Sequence, residues 1–461
     1  MFGFALAVSY LTAFFLSNRQ QWATALSVAI ILSLGTATYL RNRVWQDEIT
    51  LWTDCLSKNP QNARARGNLG SAISRLGSID EAIDLFTELV RERPNYADAH
   101  YNLGVNLAKR GSNDEATRSY FEALRINPGF AKARYNLASV LAEQGSNDEA
   151  IVHFRDALRI KPNDAKAHNN LGTVLMLQGN LDEAVKHFKE AVRIDPGDSE
   201  KHYNLALALA RQGMADDAVR HFKEATRLNP DDGKAHNDLG VALEKKGDLD
   251  GATRHYSEAI RVDPDDADAR FNLGSALAQQ GNIDGAILHF SEVVRVNPDD
   301  VETHKHLGIL LFRRERPKEG LSHFSEVVRI NPDDAGAHFN LGRALFKLGD
   351  LDAAAGHFSE TVRINADFAK GYYNLGLVRA RQGRFDEAVR HYLKAARINP
   401  DFGTGAYYDI AAIYSRQGKV TKSIDFLKKA VKSGFNNPDH LRKDKDMENI
   451  RGSSYYKELV K

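Results

Sequence analysis

The chain has 461 residues, 62 basic against 61 acidic, a net charge of +1 and a single cysteine, Cys55. That balance offers nucleic acid and anionic surfaces no general hold on the molecule, and one cysteine excludes both an internal disulfide framework and a cysteine-based zinc cluster. The length would ordinarily mean two or three domains, but an internal repeat absorbs most of it.

The first 40 residues hold two uncharged runs, 1–17 and 22–40, separated by the polar break Asn18 to Gln21 that contains Arg19. Nineteen helical residues rise about 28 Å, close to the ~30 Å hydrocarbon core of a bilayer, so the second run can span and the first is slightly short. The first run lacks the basic start of a signal peptide and leads at once into another apolar run. Residues 1–40 therefore predict two transmembrane helices that anchor the chain. Trp22 and Tyr39 stand at the ends of the second span, where interfacial aromatics belong, and Arg41 and Arg43 follow.

Residues 41–62 read as a junction and half a repeat, with Trp52 at an aromatic position and Leu56 in the core. Proline then marks time: 60, 94, 128, 162, 196, 230, 264, 298 and 332, returning at Pro400 after Ala366 takes the missed place. A fixed period of this size means one supersecondary unit copied along the chain, each copy burying its apolar face against its neighbours. In the copy 131–162, Leu137 and Leu141 lie four apart on a first helix, and Ala150, Phe154, Ala157 and Leu158 share one face of a second. Gly145 separates them and Pro162 ends the second. Aspartates three residues after the turn glycine, such as Asp148 and Asp182, are expected to cap the second helix.

Leu-Gly or Leu-Ala pairs recur from Leu69-Gly70 through Leu137-Ala138 to Leu375-Gly376. Small residues such as Ala82, Ala150 and Ala184 precede aromatics by four, at Phe86, Phe154 and Phe188. This pattern resembles the tetratricopeptide repeat (TPR). The resemblance implies an all-α, right-handed TPR α-solenoid of 34-residue helix-turn-helix units, carrying N-terminal transmembrane helices. About eleven repeats occupy 63–435, and the charged stretch 436–461 reads as a polar capping helix. The copy 301–332 departs most, with Glu315 and Pro317 in place of the glycine motif and Lys305, His306, Arg313, Arg314, Arg316 and Lys318 crowded nearby. It reads as a drifted repeat, with a local anionic dock as the alternative.

In solenoids of this family the first helices line the concave surface, which singles out two columns. One residue before each Leu-Gly stand Asn102, Asn136, Asn170, Asn204, Asn272, Asn340 and Asn374. An amide both donates and accepts, so such a row can pair with the backbone of an extended peptide, as in the similar asparagine-lined groove of O-GlcNAc transferase. The alternative is that these amides hold neighbouring hairpins together. One residue earlier stand Tyr101, Tyr135, Tyr203, Phe271, Phe339 and Tyr373, rings that suit peptide capture and that repeat consensus equally explains. A carboxylate clamp is not predicted, because Glu200 and Asn204 occupy the places where its basic pair would stand.

Fourteen of the sixteen histidines fall in two columns, one running from His153 to His391 and the other from His100 to His338. Each column supplies one per repeat, so no metal site is predicted, although imidazoles titrate near neutrality. Nothing forms a nucleophile elbow or phosphate loop. The junction after the second span resembles that of transmembrane, TPR-bearing O-mannosyltransferases, whose acidic catalytic residues lie in a multi-span region this chain does not contain. That likeness implies repeats outside the cytoplasm.

The chain reads as an integral-membrane scaffold that binds protein or extended peptide partners in its groove. No catalytic residue, cofactor, metal, nucleic acid or small-molecule substrate is expected. The alternative is the acceptor-recognition part of a membrane O-glycosyltransferase.

Overall fold

The structure, a computed structural model, describes residues 2–15, 20–43 and 45–460. The polar break around Arg19 and the side chain of Trp22 lie outside the described residues. The chain divides into two compact units, 1–228 and 229–461, and no strand occurs among the described residues.

The first unit opens with α1 (Phe2–Phe15) and α2 (Gln20–Arg43). Ser9 Oγ lies 3.4 Å from Ser27 Oγ, and Ala5 and Leu6 share a cleft with Ile30, Ile31 and Leu34, so the two helices run antiparallel. At 1.5 Å per residue α1 is roughly 21 Å long and α2 roughly 36 Å. Among the described residues, only Thr24–Arg43 within α2 is both long and apolar enough to cross a membrane, and none of it is buried in protein. The two spans expected from 1–40 therefore reduce to one candidate span, because α1 falls short of the hydrocarbon thickness.

Next comes α3 (Glu48–Lys58), capped by Asp47, whose carboxylate accepts the Thr50 N–H at 2.8 Å. It packs on α4 but buries no residue fully. Five helix pairs complete the unit. They are α4 (Ala63–Arg75) with α5 (Ile79–Glu92), and α6 (Ala97–Lys109) with α7 (Asn113–Ile126). Then come α8 (Ala131–Glu143) with α9 (Asn147–Ile160), α10 (Ala165–Leu177) with α11 (Leu181–Ile194), and α12 (Ser199–Arg211) with α13 (Ala215–Leu228).

The second unit continues with α14 (Gly233–Lys245) and α15 (Leu249–Val262), α16 (Ala267–Gln279) and α17 (Ile283–Val296), and α18 (Val301–Arg313) and α19 (Pro317–Ile330). After these stand α20 (Ala335–Leu348) with α21 (Leu351–Ile364), α22 (Ala369–Arg381) with α23 (Phe385–Ile398), and α24 (Gly403–Arg416) with α25 (Val420–Lys432). Where one polar capping helix was expected, the end is built from α26 (Pro438–Lys443), a 3-10 stretch and α27 (Ser454–Leu459). These short pieces bury Leu441, Met447, Ile450 and Tyr456 against Leu427 and Ala430, so the cap carries its own apolar core.

The pairs from α4–α5 to α22–α23 close on a small residue facing a ring, and α24–α25 sets Ala411 against Leu427 instead. A Cβ placed on Gly172 would stand 2.8 Å from the Phe188 ring, and one on Gly240 2.5 Å from that of Tyr256. Both rings are fully buried. Turn glycines such as Gly145 take a positive φ of 80°, and Glu315, at 57°, is the one non-glycine residue described in that region.

The aspartates expected as caps do something else. Asn180, Asp248 and Asn282, two residues earlier, accept the capping N–H bonds. Several expected caps instead receive the glutamine amide that ends the next first helix, Gln178 to Asp148 at 2.6 Å, Gln212 to Asp182 at 2.8 Å and Gln280 to Asp250 at 2.8 Å, and Asp284 receives Arg314 there at 2.8 Å. A carboxylate in the second helical position points away from the free N–H groups and toward the neighbour.

Within each unit, successive first helices touch: α4 to α6, α6 to α8, α8 to α10 and α10 to α12 in one, and α14 to α16, α18 to α20 and α20 to α22 in the other. Second helices of successive pairs approach less closely, so the first helices make the inner face.

Candidate functional site

The predicted columns lie on that inner face, half-buried throughout. One rule governs them: each asparagine meets the residue 35 earlier, in the ring column of the preceding pair. Asn136 Nδ2 donates to Tyr101 Oη at 3.3 Å and Asn170 Nδ2 to Tyr135 Oη at 3.0 Å. Where the facing residue is an amide the bond persists, from Asn204 to Asn169 Oδ1 and from Asn272 to Asn237 Oδ1, each at 3.0 Å. Where it offers no acceptor, the bond is absent. The residues 35 before Asn102, Asn340 and Asn374 are Gly67, Lys305 and Phe339.

Asn374 turns back to the Lys370 carbonyl of its own helix at 2.8 Å. The side chains of Asn102 and Asn340 make no hydrogen bond among the described residues. The seven predicted amides thus separate into four tied between pairs, one tied to its own helix and two open. The signal for this was present in the sequence, as the residue type 35 positions back.

The rings are set by their own second helices. Tyr135 meets Phe154 at 5.8 Å, Tyr203 meets Phe222 at 5.8 Å, and Phe271 meets Phe290 at 5.4 Å between centroids. Tyr101, Phe339 and Tyr373 also lie against the loop rings Phe130, Phe368 and Phe402 at 4.9, 5.1 and 5.6 Å. Burial raises the phenol pKa of Tyr101, Tyr135 and Tyr373. Asp409 accepts from Tyr373 Oη at 2.7 Å, and burial lifts its carboxyl to about 6.

The histidine columns come together as pairs, which separate counting of the columns did not show. His168 and His187, His202 and His221, His236 and His255, His304 and His323, and His338 and His357 meet through their Nδ1 atoms at 2.9–3.1 Å. The first of each pair also places Nε2 at 3.0–3.2 Å from a proline carbonyl. A carbonyl only accepts, so that Nε2 carries the proton, its Nδ1 is an acceptor, and the second histidine donates from Nδ1. Centroid separations of 5.2–5.3 Å amount to the N···N contact plus a ring radius at each end. The Nδ1 lone pair of the first ring therefore faces the Nδ1–H of the second, an arrangement for a hydrogen bond between the two imidazoles. Burial and then the facing imidazole lower the pKa of His187, His221, His323 and His357, that of His221 to about 4.

A further patch on the same face joins Arg313, from the copy read as a drifted repeat or a local anionic dock, and the predicted Asn340 to residues that were not singled out, Ile309, Phe312 and Arg343. Ile309, Phe312, Arg313, Asn340 and Arg343 line a cleft of about 230 Å³. The Arg343 guanidinium lies 4.9 Å over the Phe312 ring, and that of Arg381 lies 4.5 Å over Phe346.

Tetratricopeptide repeat families match residues 39–97 and 306–370, 369–402 and 404–433. The chain is a tetratricopeptide repeat protein. Residues 95–306 of this TPR protein match a family described as the C-terminal domain of cilia and flagella-associated protein 70. Among solved structures it is similar to a MamA fragment from Desulfovibrio magneticus, at 26% identity over 37% of this chain and 96% of that one, with a TM-score of 0.35. It is similar also to YrrB, described as a TPR protein with an unusual peptide-binding site, at 23% identity over 40% and 95% with a TM-score of 0.37. A third is the C-terminal part of a TPR protein from Cytophaga hutchinsonii, at 14% identity over 52% and 99% with a TM-score of 0.47. No curated protein matches.

Proposed function

We propose that this TPR chain is a membrane-anchored scaffold that holds extended segments of partner proteins on the face built by its first helices. The observation that carries the reading is the division among the asparagines: Asn102 and Asn340 keep both amide functions open on a face otherwise knitted by its own hydrogen bonds. An open amide between half-buried rings can pair with a passing peptide backbone while the rings supply contact area. The scaffold acts by binding alone.

α2 supplies the anchor. Arg41 and Arg43 at its end favour repeats on the cytoplasmic face, the opposite of the placement implied by the junction's glycosyltransferase likeness. Protease added outside sealed cells tests this: intact repeats support the cytoplasmic side, and digestion supports the other.

The binding claim is tested by probing a synthetic peptide array with the full chain and with Asn102→Ala and Asn340→Ala. Reduced binding with unchanged thermal stability is expected. An unchanged binding pattern in the double variant would remove the peptide-backbone role. The second reading, acceptor recognition for a membrane O-glycosyltransferase, rests on the junction sequence and predicts that bound peptides are enriched in Ser and Thr.

A further inference from the structure

The patch on α18, α20 and α22 stands apart by its rings, Phe312 and Phe346, at the twelfth place of the first helix; cations at the thirteenth occur in other pairs too, as Arg211 and Lys245. At the ninth, twelfth and thirteenth residues of the first helix, α8 carries Ser139, Ala142 and Glu143, and α16 carries Ser275, Ala278 and Gln279. In α18 the same places hold Ile309, Phe312 and Arg313, and in α20 Arg343, Phe346 and Lys347. In α22 the thirteenth residue is Arg381.

Second-helix arginines elsewhere are matched by carboxylates, as Arg193 is by Glu190 and Arg227 by Glu224, both at 2.6 Å. Arg313, Arg343 and Arg381 have no carboxylate partner among the described residues, and all three are exposed. Lys347 meets one carboxylate among the described residues, Glu315 at 3.8 Å, and lies 5.2 Å over the Phe312 ring. Arg343 and Arg381 instead lie with their guanidinium carbons 4.9 and 4.5 Å over the Phe312 and Phe346 rings, a contact that consumes none of their N–H donors.

Resting on the peptide-scaffold reading, we infer that this part of the face takes an acidic extended peptide. An aliphatic or aromatic side chain enters the Ile309–Phe312 cleft, the open Asn340 amide meets the backbone, and carboxylates pair with Arg343 and Arg381. Neighbouring packed helices stand about 10 Å apart and an extended chain rises about 3.3 Å per residue, so the carboxylates recur roughly every third residue. Charge complementarity commits the occupant: a nucleic acid would need cations continuing along the face, and the same register in α16 offers Ser275, Ala278 and Gln279.

The test uses the full chain in detergent and fluorescein-labelled synthetic 12-residue peptides. These carry Leu at fixed positions and Glu, Gln or Lys at every third one, with a 12-residue oligouridylate for comparison. The Glu peptide should bind about tenfold more tightly than the Gln peptide at 50 mM salt, with the gap narrowing by 300 mM. Arg343→Gln and Arg381→Gln should each remove most of that gap without touching the Gln peptide, and Arg343→Lys should restore part of it. Phe312→Ala should weaken both peptides. Equal binding of the Glu and Gln peptides overturns the acidic inference and leaves the scaffold reading standing. Preference for the oligouridylate overturns it in favour of nucleic acid. Binding of none of these probes, with the peptide array still sensitive to Asn102→Ala, overturns this site alone.

Discussion

The hydrogen bond from Asn170 Nδ2 to Tyr135 Oη, 3.0 Å across two neighbouring helix pairs, separates a structural from a ligand-binding asparagine. Tyr135→Phe removes the acceptor but leaves the ring against Phe154, so it should cost about the net value of one neutral hydrogen bond, roughly 1 kcal/mol. Asn170→Ala also strands a half-buried hydroxyl and should cost about 1–2 kcal/mol. In the double variant the hydrogen bond is counted once, giving a coupling energy of about 1 kcal/mol. Urea unfolding followed by circular dichroism supplies the four free energies. Asn102→Ala, with Gly67 at the place 35 residues before it, is the control and should stay within about 0.5 kcal/mol of the parent, as surface substitutions do. A coupling below about 0.3 kcal/mol, within the ordinary scatter of additivity, would refute the claim that the asparagine column ties pair to pair.

Glu315 occupies the left-handed region with φ 57° where other turns place glycine. Glu315→Gly should therefore raise stability by about 0.5–1 kcal/mol after the larger unfolded-state entropy of glycine is counted, read as a higher urea midpoint. His221 is held neutral in the fold by burial and by His202, with its pKa lowered to about 4. Its contribution is present above the unfolded value of about 6.5 and is lost as pH falls from there toward 4. His221→Gln should flatten the melting temperature over that window and leave it unchanged at pH 8. Asp409 has the opposite sign, because burial raises its carboxyl to about 6. The fold favours its protonated form, so stability is full below about 4 and declines as pH rises through 6. Asp409→Asn should melt higher than the parent at pH 8 and equal to it at pH 4; a parallel loss at both pH values would contradict the assignment.

Much of the architecture was legible because it is local and periodic. Gly145 at a positive φ, Leu137 and Leu141 on one helical face, and Phe188 against Gly172 all follow from rules spanning a few residues or one hairpin. The departure of the 301–332 copy was visible too, but its meaning was not. Arg343 and Lys347 belong to the following copy, and only packing puts them beside Phe312.

The same limit explains Asp182, read as a cap for its own helix and found bonded to Gln212. It explains as well the histidines, read as two separate columns of fourteen and found with ten of them joined in five pairs. Periodic hydrophobicity determined that the chain folds into helix pairs and which residues fill their cores, because burial depends on residue type and spacing alone. Which polar groups are consumed between pairs, and which stay open to a partner, was decided only by tertiary structure. A hydrogen bond depends on the identity and direction of a second group 30 or 35 residues away, brought within 3 Å by packing.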